Sequence, residues 1–223
     1  VPDRLRPTAP TAADAILVGD PGRALMLAQV LLTEPKMSNH ARGLWGYSGK
    51  TAAGRDLTLQ ATGIGGPSAA IVLADLAELG VRRAIRVGTC SALTAELRSG
   101  DLLNIAEAHA WGGPGGHSGE AVQPDPELFS ALRGQLGDRA RTAAVASLDS
   151  LHQSGLPSPL SASEAADMQT ATLFARGDAL GVAVAAVLIV TAASDGEPLD
   201  DEKTKTMAEQ AGMAASFVLS SSS

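Results

Sequence analysis

The sequence predicts an α/β fold in three layers: a twisted, mixed central β-sheet with helices on both faces. Three observations lead there. Short apolar runs of strand length alternate with segments whose apolar residues recur at helical spacing. Two glycine-rich turns, Gly19-Asp-Pro-Gly-Arg23 and Thr62-Gly-Ile-Gly-Gly-Pro-Ser68, each connect such a run to such a segment. The composition is 45% hydrophobic but only 3% aromatic, so the core must be aliphatic and closely packed, as in layered α/β proteins.

Residues 1–13 carry Pro2, Pro7 and Pro10 and read as an irregular arm. A short apolar strand follows at 15–18. Asp20 then caps, and Pro21 opens, a helix with Ala24, Leu27, Ala28 and Leu31 on its inner face, which Pro35 ends. Residues 36–43 read as loop, and 44–50 and 56–62 as paired strands around Ala53-Gly54, with Leu57, Leu59 and Ala61 on one face. The second strand delivers Thr62 to the next glycine turn, where Gly63, Gly65 and Gly66 permit positive φ and close approach of the backbone to a ligand. Pro67 suits the first turn of a helix over 67–79, whose Ala69, Val72, Leu73, Leu76 and Leu79 form one face and which Gly80 stops. Residues 83–87 form a strand with Arg86 at its carboxyl end, where open α/β sheets bind ligands.

In the second half, 102–106 fits a strand and 112–119 a Gly/Pro-rich loop. Asp125-Pro126 opens a helix to Leu136, 142–148 is a strand, 149–163 a Ser/Pro-rich loop, and 169–180 a helix before Gly181. The run 182–192 is the most apolar and reads as a central strand buried on both faces, ending at Ser194-Asp195. Asp200, Asp201 and Glu202 complement the positive end of a last helix running to Leu219.

Composition narrows the function. A chain of 223 residues fits one domain, 1–223, with a core that needs no disulfide or metal. Net charge is −7 without a Lys/Arg run, which argues against nucleic-acid and anionic-membrane surfaces. The single cysteine, Cys90, excludes an internal disulfide framework, and no signal-like segment or long apolar run occurs, so a soluble, cytoplasmic protein is expected. His40, His109, His117 and His152 have no metal-ligand spacing, and no metal is expected. What the pattern does favour is a small anion. Strand-to-helix turns present free N–H groups; Gly19 and Arg23 flank one such turn, and Arg86 adds a guanidinium.

Gly19-Asp-Pro-x-Arg23, Asn39-x-x-Arg42-Gly43, Thr62 to Ser68, Arg86-Val-Gly-Thr89, Asp167-Met168 and Ser194-Asp195 occur in this order. Together they resemble the bacterial nucleoside phosphorylases, the purine and uridine enzymes, over nearly the whole chain. The resemblance implies the single-domain, three-layer phosphorylase-like fold and its reaction: inorganic phosphate, the co-substrate, attacks C1′ of a nucleoside, the ribosyl group passes through an oxocarbenium-like state, and base and ribose 1-phosphate are released with no other cofactor. It assigns Gly19, Arg23, Arg86 and Thr89 to phosphate. Arg42 would reach the phosphate site of a neighbouring subunit, which implies a homo-oligomer, at least a dimer and by family a hexamer of three dimers. Ile64, Asp167, Met168 and Gln169 fall to the nucleoside. Asp195 matches the aspartate that protonates a departing purine near N7, and Lys203 the arginine that assists it.

The sequence also departs from the family pattern. Gln169 replaces a glutamate that bonds the ribose hydroxyls, so on this reading Gln169→Glu would raise activity. Lys203 keeps an arginine's charge without its bidentate fork. The Gln-x-Arg motif that reads uracil is not recognisable in 149–163, where Leu151 or His152 stands in the region of the usual base-stacking aromatic. Arg4 or Arg6 lies near the place of a histidine that touches the 5′-hydroxyl. Asp195 favours purine nucleosides. A uridine phosphorylase, suggested by the Ile64-Gly-Gly-Pro-Ser form of the turn, and a catalytically weak nucleoside- or phosphate-binding homologue, suggested by Gln169, are the alternatives.

Overall fold

Ala15 and Leu17 face one way and Ile16 and Val18 the other, and this division runs through the whole molecule. The computed structural model describes residues 2, 4–111, 121–150, 162–193 and 196–221. Its elements are β1 (Asp14–Val18), α1 (Pro21–Leu31), β2 (Thr33–Asn39), β3 (Gly46–Lys50), β4 (Asp56–Ala61), α2 (Gly65–Glu78), β5 (Arg83–Ala92), β6 (Leu102–Trp111), β7 (Ala121–Val122), α3 (Pro126–Leu136), β8 (Ala140–Leu148), β9 (Ala165–Asp167), α4 (Thr170–Leu180), β10 (Ala183–Ala192) and α5 (Asp201–Ser221). Ala15, Leu17, Ala84, Ala186 and Leu188 pack against α2 and α4. Ile16, Val18, Ile85, Val87, Val187 and Ile189 pack against α1, α3 and α5. Period-two alternation in strands buried on both faces thus produces the expected three layers.

The sheet is mixed. β1 pairs in parallel with β4 and β5, and β5 in parallel with β10, whereas β2 and β3 extend the β4 edge as antiparallel strands. Beyond β10 the sheet curls back through β6, β8 and β9 to β5, so five strands close a ring. β5 is the shared stave. Its first half pairs with β1 as far as Arg86, and its end pairs with β9 only from Ser91 onward. Between those points β1 and β9 diverge, and the gap along one side of β5 is where a ligand can enter the sheet.

Several boundaries differ from the sequence reading. Residues 33–39, expected to be largely loop, form β2, which among the described residues pairs only with β3. Pro35 is tolerated because an edge strand leaves one set of N–H positions unused, and the register shifts between Thr33 and Lys36, next to Glu34 at φ 48°. Helix α1 ends at Leu31, where Leu32 is already extended, before Pro35 is reached. β5 runs on to Ala92, so Arg86 lies within its strand rather than at the carboxyl end. β9, three residues long, lies between the loop of 149–163 and the helix of 169–180, in a stretch the sequence reading left without an element. The loop readings at 112–119 and 149–163 fall mostly on residues outside those described.

The irregular arm is pinned by a residue that its helix pattern placed off the buried face. Asp75, 4% exposed, accepts the backbone N–H groups of both Arg4 and Leu5 at 2.7 Å through Oδ2. Leu5 thereby enters the core beside Val72 and Leu76. Asp75→Ala should leave two arm donors unmet and cost about 1–3 kcal/mol. Urea denaturation with an unchanged slope is the measurement that checks it.

Candidate active site

An open cleft of ≈ 610 Å³ occupies the gap beside β5. Its walls are the turn after β1 (Gly19, Asp20, Pro21 and Arg23), the turn before α2 (Gly63, Ile64 and Gly65), Arg86 and Thr89 of β5, and Asp167, Met168 and Gln169 between β9 and α4, with Arg42, Gly43 and Leu44 at one side. Gly19, Arg23, Arg86 and Thr89, expected at phosphate, and Ile64, Asp167, Met168 and Gln169, expected at the nucleoside, thus line one cleft, with Arg42, expected at a neighbour's site, at its edge. Lys203 is not among the lining residues: its side chain is 72% exposed and its ammonium stands 3.2 Å from Asp200, which immediately precedes α5. Asp195 lies outside the described residues, as do Ser194 and 151–161.

Local sequence explains each wall. Asp20 accepts the Arg23 N–H at 2.7 Å and caps α1, leaving the Arg23 side chain to project inward, half-buried. Gly63 and Gly65 have φ of 74° and 82°, the left-handed region that only glycine enters readily. Ile64, at the N-cap of α2, has no side chain able to cap it, so the first N–H groups of that helix remain open to a ligand or water. Gly66 allows α2 to lie against α4, since a Cβ there would come within 2.5 Å of Thr172 Oγ1. Arg42 sits in a single turn with φ 59°, exposed at the cleft's edge.

The floor is an ion pair. Arg86 is 4% exposed and donates from Nη2 to Asp167 Oδ2 at 3.0 Å, from Nη1 to Gln169 Oε1 at 2.7 Å and from Nε to Thr170 Oγ1 at 3.2 Å. Asp167, itself 1% exposed, also accepts from Ser147 Oγ, Thr170 Oγ1 and the Thr170 N–H, which ties it to the start of α4. Its carboxylate is thus an anchor for Arg86 rather than a group held out to a sugar. Of the five guanidinium N–H groups, three are donated inward, leaving two for a ligand. Gly88 is what lets the guanidinium lie flat: a Cβ there would meet Arg86 Cζ and Nη2 at 2.6 Å.

Across the cleft the Arg23 guanidinium makes no hydrogen bond or ion pair with the described residues. Burial pushes its pKa below the ordinary value; Asp20 opposes the shift and the Arg86 charge reinforces it. Two cations that repel one another across a partly desolvated space form a site that an anion would stabilise. Cys90, on β5, is buried. Burial, with the Asp167 charge adding, raises its pKa so that it stays a thiol, and Sγ lies 3.6 Å from the Ile189 carbonyl.

Sequence reasoning missed Gly88, Thr170 and Ser147. For Gly88 the signal was present: in a strand it lies on the same face as Arg86, two residues away. Thr170 stands three residues after Asp167, the spacing at which a carboxylate bonds a helix's first N–H groups. Ser147, on β8, had no local signal.

A three-layer α/β protein with a cationic cleft at the strand-to-helix turns is the class that fold and site define. A family model, the Phosphorylase superfamily, matches residues 14–222, and the chain belongs to that family. Among similar sequences, a purine nucleoside phosphorylase of DeoD type from Oceanobacillus iheyensis is 42% identical over 93 residues, 41% of this chain and 39% of that one. The Clostridium perfringens protein of the same name is 36% identical over 99 residues, 44% of this chain and 42% of that one. These matches span about two fifths of the relatives' length. Among solved structures, a uridine phosphorylase from Vibrio fischeri superposes with a TM-score of 0.83 at 22% identity, covering 94% of this chain and 91% of that one. One from the oomycete Phytophthora capsici gives 0.83 at 20% identity, covering 98% and 93%. The fold is that of the nucleoside phosphorylases.

Gly88→Ala should force the Arg86 guanidinium off its partners and cost about 1–3 kcal/mol, with anion binding weakened in proportion. Gly134→Ala on α3, where an added Cβ meets open space, should instead stabilise by about 0.5–1 kcal/mol. Chemical denaturation of the two variants side by side measures both.

Proposed function

We propose that the protein is a pentosyltransferase that cleaves nucleosides with inorganic phosphate, preferring purine nucleosides. The observation that carries this reading is the pair of guanidinium groups, Arg23 and Arg86, facing one cleft between two glycine turns and helix N-termini. Backbone N–H groups of Gly19 and Thr89, the Thr89 hydroxyl, Arg23 and the two outward N–H groups of Arg86 would hold phosphate. Ile64 and Met168 would lie against the nucleoside, with phosphate placed to attack C1′. Asp195 would donate a proton to the purine as the glycosidic bond breaks. The sequence matches to enzymes named for purine nucleosides support the preference, as does Asp195. Lys203 is given no part in the chemistry.

In this reading the chain forms one domain and works in the cytoplasm as a homo-oligomer, with Arg42 completing a neighbour's phosphate site. Its partners are nucleoside and phosphate, with neither nucleic acid nor a membrane among them. Among the described residues no helix is long and apolar enough to cross a membrane. A second reading, a homologue that binds nucleoside or phosphate but turns over weakly, is favoured by one observation: Asp167 and Gln169 are both engaged by protein groups.

Release of free base from inosine, adenosine and uridine, measured with and without phosphate, tests the proposal. Phosphate-dependent release, faster from the purine nucleosides, is expected. Arg23→Ala is a cleaner probe of the phosphate site than Arg86→Ala, because removing Arg86 would leave a buried carboxylate unpaired. It should raise the KM for phosphate about 10- to 100-fold, the loss of a charged hydrogen-bonding partner, with the fold intact by circular dichroism. Asp195→Asn should lower kcat on purine nucleosides by about 10²–10⁴-fold while leaving the KM for phosphate nearly unchanged. Equal rates with and without phosphate would sink the proposal.

A further inference from the structure

Gln169 is 3% exposed, and both ends of its amide are occupied. Oε1 accepts from Arg86 Nη1 at 2.7 Å and from Thr62 Oγ1 at 3.0 Å. Nε2 donates to the Gly63 carbonyl at 2.7 Å and lies 3.3 Å from the Gly65 carbonyl. Only this orientation is chemically consistent: turned over, the amide would set its NH₂ against a guanidinium and its oxygen against two carbonyls. One side chain therefore bridges the floor of the cleft and the glycine turn that forms its wall. Both bridged glycines have left-handed backbones; the Gly63 carbonyl lies outside the ladder of α2, whereas that of Gly65, the helix's first residue, also faces the helix's own N–H groups.

We propose that Gln169 is a positioning residue whose amide clamps the 63–65 turn to Arg86, and that this site requires a neutral hydrogen-bond donor at position 169. Glutamate has the same shape and keeps the side facing Arg86 and Thr62. Its second oxygen, however, would face the Gly63 and Gly65 carbonyls with no proton to offer, and a buried acceptor set against acceptors is costly. The family pattern suggested that Gln169→Glu would restore a missing carboxylate. This network reverses the expectation: the substitution should loosen the wall and weaken the anion site. The inference rests on the phosphate reading above only where anion binding is concerned, since the clamp itself needs no ligand.

The charged and titratable groups around the amide are Arg86 and Cys90 on β5, Asp167 before α4, and Asp20, Arg23 and Arg42 across the cleft. In a Gln169→Glu variant, burial, the facing carbonyls and the Asp167 charge disfavour the charged carboxylate, while Arg86, already paired with Asp167, favours it. The donor requirement holds that the former prevail and raise the pKa of the carboxylate above the unfolded value. The stability this group contributes is then present at low pH and lost as pH rises through the folded pKa. A protonated glutamate regains one donor and mimics the amide. Recovery on acidification therefore separates a donor requirement from simple loss of packing.

The experiment compares wild type, Gln169→Glu and Gln169→Ala at about pH 8 and about pH 5.5, by thermal unfolding without ligand and by calorimetric titration with inorganic sulfate. Sulfate remains a dianion across this range and so adds no titration of its own. Gln169→Glu should unfold at a lower temperature than wild type at the higher pH, and bind sulfate about tenfold more weakly, the loss of one buried hydrogen bond. Both deficits should shrink at the lower pH. Gln169→Ala should be impaired at both. A glutamate variant that folds only at the lower pH is the same result in stronger form. Wild-type behaviour of Gln169→Glu at about pH 8, or a deficit identical at both pH values, would overturn the proposal. Wild type that binds no sulfate would count against the phosphate reading, while the pH dependence of unfolding would still decide the clamp.

Discussion

A guanidinium buried within a β-strand must find acceptors inside the protein, and at Arg86 that requirement organises everything around it. A carboxylate has to lie beside it, which places Asp167 at the end of β9. The carboxylate needs further donors, which brings Ser147 from β8 and the first turn of α4 into the same network. The strand must offer room for the planar group, which excludes any side chain at Gly88. An unpaired buried charge is costly enough that none of these parts is dispensable alone. What reaches the cleft is the remainder: two N–H groups held by a frame that the ligand does not have to build.

The cleft keeps a local excess of positive charge: Arg86 and Asp167 neutralise one another, Gln169 carries no charge, and Arg23 and Arg42 stand against Asp20 alone. The Arg23 guanidinium, the outward edge of Arg86 and the open N–H groups at the head of α2 are what a ligand meets. In a chain of net charge −7 this local excess of positive potential sits inside an acidic surface, which concentrates its pull on a small anion and gives it little reach toward a polyanion.

Much of this was legible in the sequence. The short apolar run of 15–18 announced a strand, the long apolar run of 182–192 a strand buried on both faces, and the helix spacing from Ala69 to Leu76 announced α2. The two glycine turns and Arg86 located the cleft, because free N–H groups and a guanidinium in that order have few structural uses. The rest depended on tertiary partners. β2 was invisible because edge strands need no apolar alternation and admit Pro35; β9 was too short to show a period. The curl of the sheet into a ring was encoded in pairings between segments with no local signature. Asp167 and Gln169 were placed at the site, but their partners could not be read from spacing: Ser147 is twenty residues away from one, and Gly63 more than a hundred from the other.

The divergence of β1 and β9 along β5 has a consequence for how the molecule is made. β5 pairs with β10 a hundred positions later, Arg83 opposite Ala183, and with β9 across a comparable stretch of chain. The cleft exists only once all of these neighbours are in register, so no early, local piece of the chain carries a partial version of it. Topologies dominated by such distant pairings fold slowly, because the entropy of closing long loops is lost before the contacts that reward it are made. Competence to bind should accordingly appear together with the last cooperative step of folding, making occupancy of the cleft a readout of the finished fold.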